Sequence, residues 1–170
     1  MRKTKFNYDD LFTEFVRENK ENLYRLAYSY VKNSEDALDI VQDSIHKAMR
    51  SINSLQDFSM LKSWFYRIVV NTSLDFLRKH KRVSIVDAEM METFSPGKED
   101  HYDNIDLERA IDQLPPEYKS IIILRYFEDL KIDEVADVLN ENINTIKTRL
   151  YKALKLLRIE MQDDSIKGAK

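Results

Sequence analysis

Apolar residues recur every three or four positions along most of the chain, which is the spacing of α-helices with one face on a core. This period predicts helices over residues 8–20, 21–32, 34–52, 60–81, 107–114, 117–127, 132–139 and 144–157. The short β-branched runs at 68–70 and 121–123 lie inside helical periods and do not indicate strands. The pattern therefore predicts an all-α fold.

The same spacing predicts which side chains are buried. On the third helix the predicted stripe follows an N-cap at Ser34 and comprises Ala37, Leu38, Val41, Ile45 and Ala48 or Met49. On the fourth it comprises Leu61, Trp64, Phe65, Ile68, Thr72 and Phe76, and on the last Ile143, Ile146, Leu150, Ala153 or Leu154, and Leu157. One of Pro115 and Pro116 is expected in the first turn of a helix, and the polar tail from Gln162 is expected to fray.

The last long helix has a second stripe, opposite the apolar one. It comprises Asn144, Lys147, Thr148, Tyr151, Lys152 and Lys155, and no acidic residue occurs from Ile143 to Ile159. A short helix precedes it, separated by Asn140, Glu141 and Asn142. This order is typical of a helix-turn-helix whose second helix enters a DNA major groove. An amphipathic hairpin with a solvated basic face is the alternative, because the turn lacks the common glycine.

Two further polar surfaces have more than one interpretation. On the 34–52 helix, Asp36, Asp39 and Asp43 lie close together, with Gln42 beside them. They form a solvated face or a docking face for a basic partner, and spacing alone favours the former. On the 60–81 helix, Arg67, Asn71 and Arg78 line one side and lead into a basic end. That strip suits single-stranded DNA or is solvated, and the residues alone do not decide.

The uneven distribution of charge divides the chain into two domains. The net charge is −3, yet basic residues cluster at 67–82 and again at 147–158. Between them periodicity fades, acidic residues dominate, and Pro96–Gly97 signals a turn. We therefore expect two small helical domains, residues 8–82 and 107–161, joined by an acidic linker at 83–106.

Composition excludes several functions. The chain has no cysteine and only two glycines, which excludes thiolate sites and argues against phosphate-cradling loops. The three histidines are far apart and have no metal-ligand spacing. No apolar run reaches the ~18 residues of a membrane span, and no signal segment follows the start. We expect a cytoplasmic protein with no cofactor, no metal, no membrane insertion and no catalytic residues.

Two segments match a known family. Residues 64–72, Trp-Phe-Tyr-Arg-Ile-Val-Val-Asn-Thr, with the acidic helix before them, resemble region 2 of bacterial sigma factors. Residues 114–118, Leu-Pro-Pro-Glu-Tyr, then 123–126 and the helix-turn-helix resemble region 4. Both regions in this order, without a third domain, are similar to extracytoplasmic-function (ECF) sigma factors of the sigma-70 family. A helix-turn-helix regulator that binds duplex DNA without polymerase is the alternative.

The resemblance implies roles for the first domain. Asp39, Gln42 and Asp43, with Asp36 at the edge, would contact the clamp helices of the largest catalytic subunit of core RNA polymerase. The loop of Leu55, Gln56, Asp57, Phe58 and Ser59 would capture a base flipped from the non-template strand of the minus-ten element. Arg67, Asn71 and Arg78 would lie beside that strand. Many relatives carry glycine where this chain has Asp57.

The resemblance also implies roles for the second domain and further partners. The minus-thirty-five element would be contacted by Asn144, Lys147, Thr148, Arg149, Tyr151 and Lys152. Lys147 and Lys152 stand where relatives often have arginine, so we expect fewer bidentate base contacts and more phosphate contacts. The apolar helix 121–127 would be mostly core, with part of its surface on the β-subunit flap. An anti-sigma factor, usually membrane-tethered, would hold the protein inactive.

Overall fold

The computed structural model describes residues 7–86 and 105–167, with side-chain environments over 7–81 and 107–159. Within these residues every regular element is helical and none is a strand, which confirms the all-α prediction. The helices are α1 (Tyr8–Val31), α2 (Ser34–Ser51), α3 (Leu61–Val86), α4 (Ile105–Gln113), α5 (Pro116–Ile122), α6 (Ile132–Leu139) and α7 (Ile143–Lys167). Single 3-10 turns cover Ile52–Ser54 and Phe58–Met60, and a π-helical turn covers Ile123–Phe127.

Helix α1 is continuous where the sequence predicted two helices. Nothing around Lys20 and Glu21 breaks a helix, and the inward side continues from buried Phe12 through half-buried residues to buried Leu23 and Ala27. The helix ends at Lys32, whose backbone is left-handed with φ 54° and whose N–H donates to the Tyr28 carbonyl. The predicted boundary rested on a polar stretch that is simply an exposed turn of one long helix.

The buried face of α2 differs from the predicted stripe. Its buried residues are Ala37, Ile40, Ser44 and Ala48, whereas Leu38 and Met49 are 58% and 55% exposed. Small side chains are well suited to close packing of α2 on α1, and the Ser44 hydroxyl donates to the Ile40 carbonyl at 2.7 Å. A hydrogen-bonded serine is buried at little cost, so a pattern based on apolar residues misplaces this face. The N-cap is Asn33, one residue before the predicted Ser34.

Helix α3 is buried over a wider arc than predicted. Leu61, Phe65 and Thr72 are buried as expected, but Trp64, Ile68 and Phe76 are only half-buried. The buried side chains also include Tyr66 and the small or β-branched residues Ser63, Val69, Val70 and Ser73. Phe65 receives the edges of Phe12 and Phe15 from α1, at centroid distances of 5.1 and 6.2 Å.

A second compact unit is built mainly from α4 to α7. Pro116 occupies the first turn of α5, as predicted, where a proline needs no backbone N–H. The core combines residues of α4, α5 and α7 with the residue that follows α4: Ala110, Ile111, Leu114, Ile122, Ala153 and Leu157. Leu107, Tyr118 and Leu150 pack against this cluster.

The segment after α5 widens into the π-helical turn. The Glu128 N–H donates to the Ile123 carbonyl at 3.0 Å, one residue beyond the α-helical partner. Residues Ile121 to Leu124 are buried, but Tyr126 and Phe127 are exposed, so the apolar run is core only in its first part. Glu128 itself is buried, which the sequence pattern did not indicate.

The remaining boundaries concern the linker and the tail. Helix α3 continues to Val86 and α4 begins at Ile105, so the predicted linker starts and ends within helices, and its residues 87–104 lie outside those described. Helix α7 continues to Lys167, so the tail from Gln162 is helical that far instead of frayed.

Candidate nucleic-acid and polymerase interfaces

The turn between α6 and α7 is built without glycine. Asn140 adopts the left-handed conformation with φ 53°, which asparagine tolerates better than most residues. The next N–H, of Glu141, donates back to the Ala136 carbonyl at 3.0 Å and closes α6. The Asn142 side chain then accepts the Asn144 N–H at 2.8 Å and caps α7. The helix-turn-helix geometry is therefore specified by Asn140, Glu141 and Asn142.

Helix α7 separates a buried side from a basic exposed side, as predicted. Ile146, Ala153 and Leu157 are buried, and Leu150 is half-buried. The opposite side exposes Asn144, Lys147, Thr148, Tyr151, Lys152 and Lys155, with Tyr151 72% exposed. Ile143 and Leu154, predicted as core, are also exposed because they lie at the margins of the buried stripe. Amide, hydroxyl and ammonium groups on one exposed helix side can contact base edges and phosphates.

Arg149 has a different environment from the other proposed DNA residues. It is half-buried, and its Nη1 lies 3.1 Å from Glu141 Oε1 in the preceding turn. This pair connects α7 to the turn. A groove of about 450 Å³ opens between α5 and α7, lined by Glu117, Tyr118, Asn144, Thr145, Thr148, Arg149 and Lys152. Four of the six predicted residues therefore meet at one groove, while Lys147 and Tyr151 lie outside it.

The acidic residues of α2 form one exposed side, flanking the buried stripe. At 3.6 residues per turn, Asp36, Asp39 and Asp43 fall within an arc of about 60°, and Gln42 lies about 60° beyond Asp39. Asp39, Gln42 and Asp43 are exposed, and Asp36 is half-buried. Asp43 pairs with Lys47 at 3.1 Å, and Lys47 also donates to the Thr72 hydroxyl at 3.2 Å. Such an exposed pair is worth only about 0–1 kcal/mol, so a partner's cation can replace Lys47 readily.

The predicted base-capture loop connects the two 3-10 turns and includes the first two residues of the second one. Asp57 caps the second turn by accepting the Ser59 N–H at 2.9 Å. Hydrogen bonds from the Ser59 side chain and backbone hold the pKa of Asp57 below its usual range. The Asp57 carboxylate is therefore engaged within the loop.

An aromatic residue from α1 also contacts this loop. The rings of Tyr8 and Phe58 stack with centroids 5.7 Å apart and planes inclined by 28°. Sequence reasoning assigned no role to Tyr8. The available signal was its spacing from Phe12 and Phe15, which places three aromatic side chains on one side of α1.

The strip on α3 is continuous and accessible. Arg67, Asn71 and Arg78 are exposed, with Leu74 half-buried among them, at successive spacings of four, three and four residues. Lys79 and Lys81, which are both exposed, extend the positive charge toward the end of the helix. A polar amide between cations at this spacing can follow a nucleic-acid backbone.

The part of the chain that the structure describes contains no cluster of three or more histidine or acidic side chains able to hold a metal ion. Nor does any helix in residues 7–86 or 105–167 have the length and apolar character needed to cross a bilayer.

Known proteins share both halves of this arrangement. The family described as Sigma-70 region 2 matches residues 15–83, and Sigma-70, region 4 matches residues 105–157. RNA polymerase sigma factor SigV of Bacillus subtilis is 53% identical over 92% of this chain and 94% of its own. ECF RNA polymerase sigma factor SigW of the same organism is 30% identical over 91% of this chain and 90% of its own.

A solved structure has a similar fold. The sigma factor RpoE of Bartonella quintana, solved in complex with the anti-sigma factor NepR, superposes with a TM-score of 0.76 at 24% identity, covering 89% of this chain and 96% of that one. The matches to both regions define an RNA polymerase sigma factor of the sigma-70 family. Within that family, the chain belongs to the ECF sigma factors. It binds core RNA polymerase and directs it to promoters, where transcription begins.

Proposed function

We propose that each step of initiation uses a separate exposed surface of this chain. The observation that carries the proposal is the opposite charge of two amphipathic helices, acidic on α2 and basic on α7. Polymerase docking, strand capture and duplex recognition require different chemistries, and these surfaces with the loop and strip of the first unit provide them. We propose no catalytic residue in this chain, because the polymerase catalyses bond formation.

The basic side of α7 would bind the minus-thirty-five duplex. Asn144 and Thr148 offer groups for base edges, Lys147 and Lys152 meet phosphates, and exposed Tyr151 supplies apolar contact. Arg149 contributes from the groove while its pair with Glu141 fixes the turn. Because lysine is a point donor, much of the affinity comes from phosphates, so binding falls steeply with salt.

The acidic side of α2 would dock on the clamp helices of the largest polymerase subunit. Asp39, Gln42 and Asp43 make the central contacts, and half-buried Asp36 lies at the edge. The weak Asp43–Lys47 pair exchanges for a cation of the partner at small cost. In the second unit, the exposed rings of Tyr126 and Phe127 supply an apolar surface for the β-subunit flap.

The loop and the α3 strip would hold the opened minus-ten strand. A flipped base enters the loop of Leu55, Gln56, Asp57, Phe58 and Ser59, while Arg67, Asn71 and Arg78 follow the strand. Flipping costs a few kcal/mol, which stacking and hydrogen bonds in the loop offset. The Asp57–Ser59 cap supports this role because it engages the one negative charge in the loop.

An anti-sigma factor would regulate these surfaces in the cytoplasm. The proposal rests on the family resemblance, and a sigma factor of similar fold was solved with the anti-sigma factor NepR. An inhibitor that covers the α2 face prevents polymerase binding, and one that covers the basic side of α7 prevents promoter binding. We propose that this inhibitor is anchored in the membrane, which couples its release to a signal outside the cell.

The test is affinity purification of the tagged chain from bacterial lysate, followed by run-off transcription with the recovered complex. Co-purification of polymerase subunits, with transcription from a promoter selected by that complex, is the expected result. A chain that binds duplex DNA but recovers no polymerase would instead be a helix-turn-helix regulator, and the α2 face would be only solvated.

A further inference from the structure

Three aromatic side chains follow one side of α1 and connect it to the loop and α3. Tyr8, Phe12 and Phe15 are spaced by four and three residues, so they lie above one another on the helix. Phe12 and Phe15 both contact Phe65 by their edges, whereas Tyr8 stacks on Phe58. The first two contacts serve the core, and the third reaches the proposed base-capture loop.

Tyr8 is the first residue of α1, where a helix ordinarily frays. The N-cap residue Asn7 makes no side-chain cap to the backbone, and its amide donates instead to the Asp10 carboxylate. The ring of Tyr8 therefore gives this first turn a tertiary contact. The same contact also fixes the ring of Phe58.

Phe58 is the one aromatic residue of the loop, and it is half-buried. The bond from the Ser59 N–H to the Asp57 carboxylate fixes the backbone on both sides of Phe58, and Tyr8 stacks on its ring. A ring that is supported on one face is held in a single orientation. That arrangement suits an unstacked nucleobase, because each base has a π-face and stacking on aromatic rings contributes strongly to single-strand binding.

We propose that Tyr8 is a positioning residue for base capture: its ring supports Phe58 so that the loop presents a preformed stacking surface to the flipped base. This inference rests on the proposed function of the loop. Tyr8 does not itself contact the base. It reduces the ordering that the loop must undergo when the base enters, which improves affinity through preorganisation.

The test uses holoenzyme reconstituted from core RNA polymerase and the full-length chain. The probe is a labelled single-stranded non-template oligonucleotide carrying a minus-ten sequence selected from a randomised pool by wild-type holoenzyme. We expect Tyr8→Leu to weaken its binding by about threefold to tenfold, the range of one lost aromatic pair. Tyr8→Phe, which keeps the ring, is expected to stay within about twofold of wild type.

Helix α1 provides a matched control. Tyr24 and Tyr28 stack at 5.9 Å with planes inclined by 27°, almost the geometry of Tyr8 and Phe58, but away from the loop. Tyr24→Leu removes a ring pair of similar geometry that lies within α1, and it is expected to leave oligonucleotide binding unchanged. A loss in Tyr24→Leu equal to that in Tyr8→Leu would mean that any weakened α1 reduces binding, which overturns the inference.

An abasic scan separates positioning from general damage. At the position where removing the base weakens wild-type binding most, Tyr8→Leu and wild type are expected to bind the abasic oligonucleotide equally. Equal losses on intact and abasic oligonucleotides, or no loss on either, overturn the inference. If removing no single base weakens binding to wild-type holoenzyme, the proposed role of the loop in base capture is wrong. That outcome is distinguishable from one in which only the proposed role of Tyr8 is wrong.

Discussion

Helices α2 and α7 are built on the same plan but expose opposite charges. Each buries one stripe, in which small residues such as Ala37 and Ala48 dominate in α2 and larger aliphatic residues join Ala153 in α7. The exposed side of α2 carries aspartates, one of them paired with Lys47, whereas no acidic residue lies between Ile143 and Ile159 in α7. Packing thus determines how both helices fold, and the charge of the exposed residues is the basis on which we propose a different partner for each helix.

Reversing the charge of α7 should have the largest effect. Lys147→Glu with Lys152→Glu removes two phosphate contacts and adds repulsion, so we expect affinity for promoter duplex to fall on the order of 100-fold at moderate salt. Arg17→Glu with Lys20→Glu on α1 changes net charge equally and serves as control. Fluorescence anisotropy at several salt concentrations measures both. A similar loss in the α1 variant would assign the effect to net charge and remove α7 from the interface.

Reversing one charge on α2 should break the opposite interface. Asp43→Lys would repel the partner's cation that is expected there, and it adds a like charge beside Lys47. We therefore expect affinity for core RNA polymerase to weaken by about tenfold. Asp43→Asn separates the loss of negative charge from the added repulsion. Glu18→Lys, at an exposed position of α1, controls for the change in net charge. Unchanged affinity of Asp43→Lys for core polymerase in a binding titration would remove Asp43 from the docking side.

A change in the α3 strip tests whether strand capture is separate from docking. Asn71→Ala removes an exposed amide, so open-complex formation should fall by about threefold to tenfold while affinity for core polymerase stays the same. Permanganate reactivity of promoter thymines measures opening. A parallel loss of core affinity, together with a lower melting temperature, would indicate a folding defect instead of a lost DNA contact.

The smallest effect concerns the pair that fixes the turn. Glu141→Gln releases the charge that faces Arg149, and because both side chains are partly exposed we expect a change in unfolding free energy below about 1 kcal/mol. Affinity for promoter duplex should rise slightly, since Arg149 gains freedom to meet a phosphate. Thermal unfolding and anisotropy measure the two effects. A clear fall in duplex affinity would mean that the turn depends on this pair.

Sequence patterns predicted well wherever a helix end and its packing are local. Helix α6 spans Ile132–Leu139 as expected, because an apolar stripe is followed directly by polar turn residues. The basic exposed side of α7 was also predicted correctly, because it follows from the local spacing of polar and apolar residues. The α2 stripe was misplaced because Ser44 is buried through a bond to its own helix, which hydrophobicity does not register.

Contacts between distant residues were beyond prediction. Tyr8 and Phe58 are far apart in the sequence, so the local pattern around neither residue indicates that their rings stack. Burial of Glu128 has the same origin, since acidic residues are rarely buried and only the surrounding fold places it there. The residue roles came from the family resemblance, and the residues that support them came from the structure.

The left-handed backbone conformation of Asn140 has a consequence for which residues this turn can accept. Most residues lose about 1–2 kcal/mol in this conformation, asparagine less, and glycine would relieve the strain. Glycine would also give the unfolded chain more conformational freedom, by about 0.4–1 kcal/mol. The two effects nearly cancel, so asparagine and glycine are close to interchangeable here. Asn140→Gly is therefore expected to leave the unfolding free energy almost unchanged, and the absence of glycine carries little penalty for the motif.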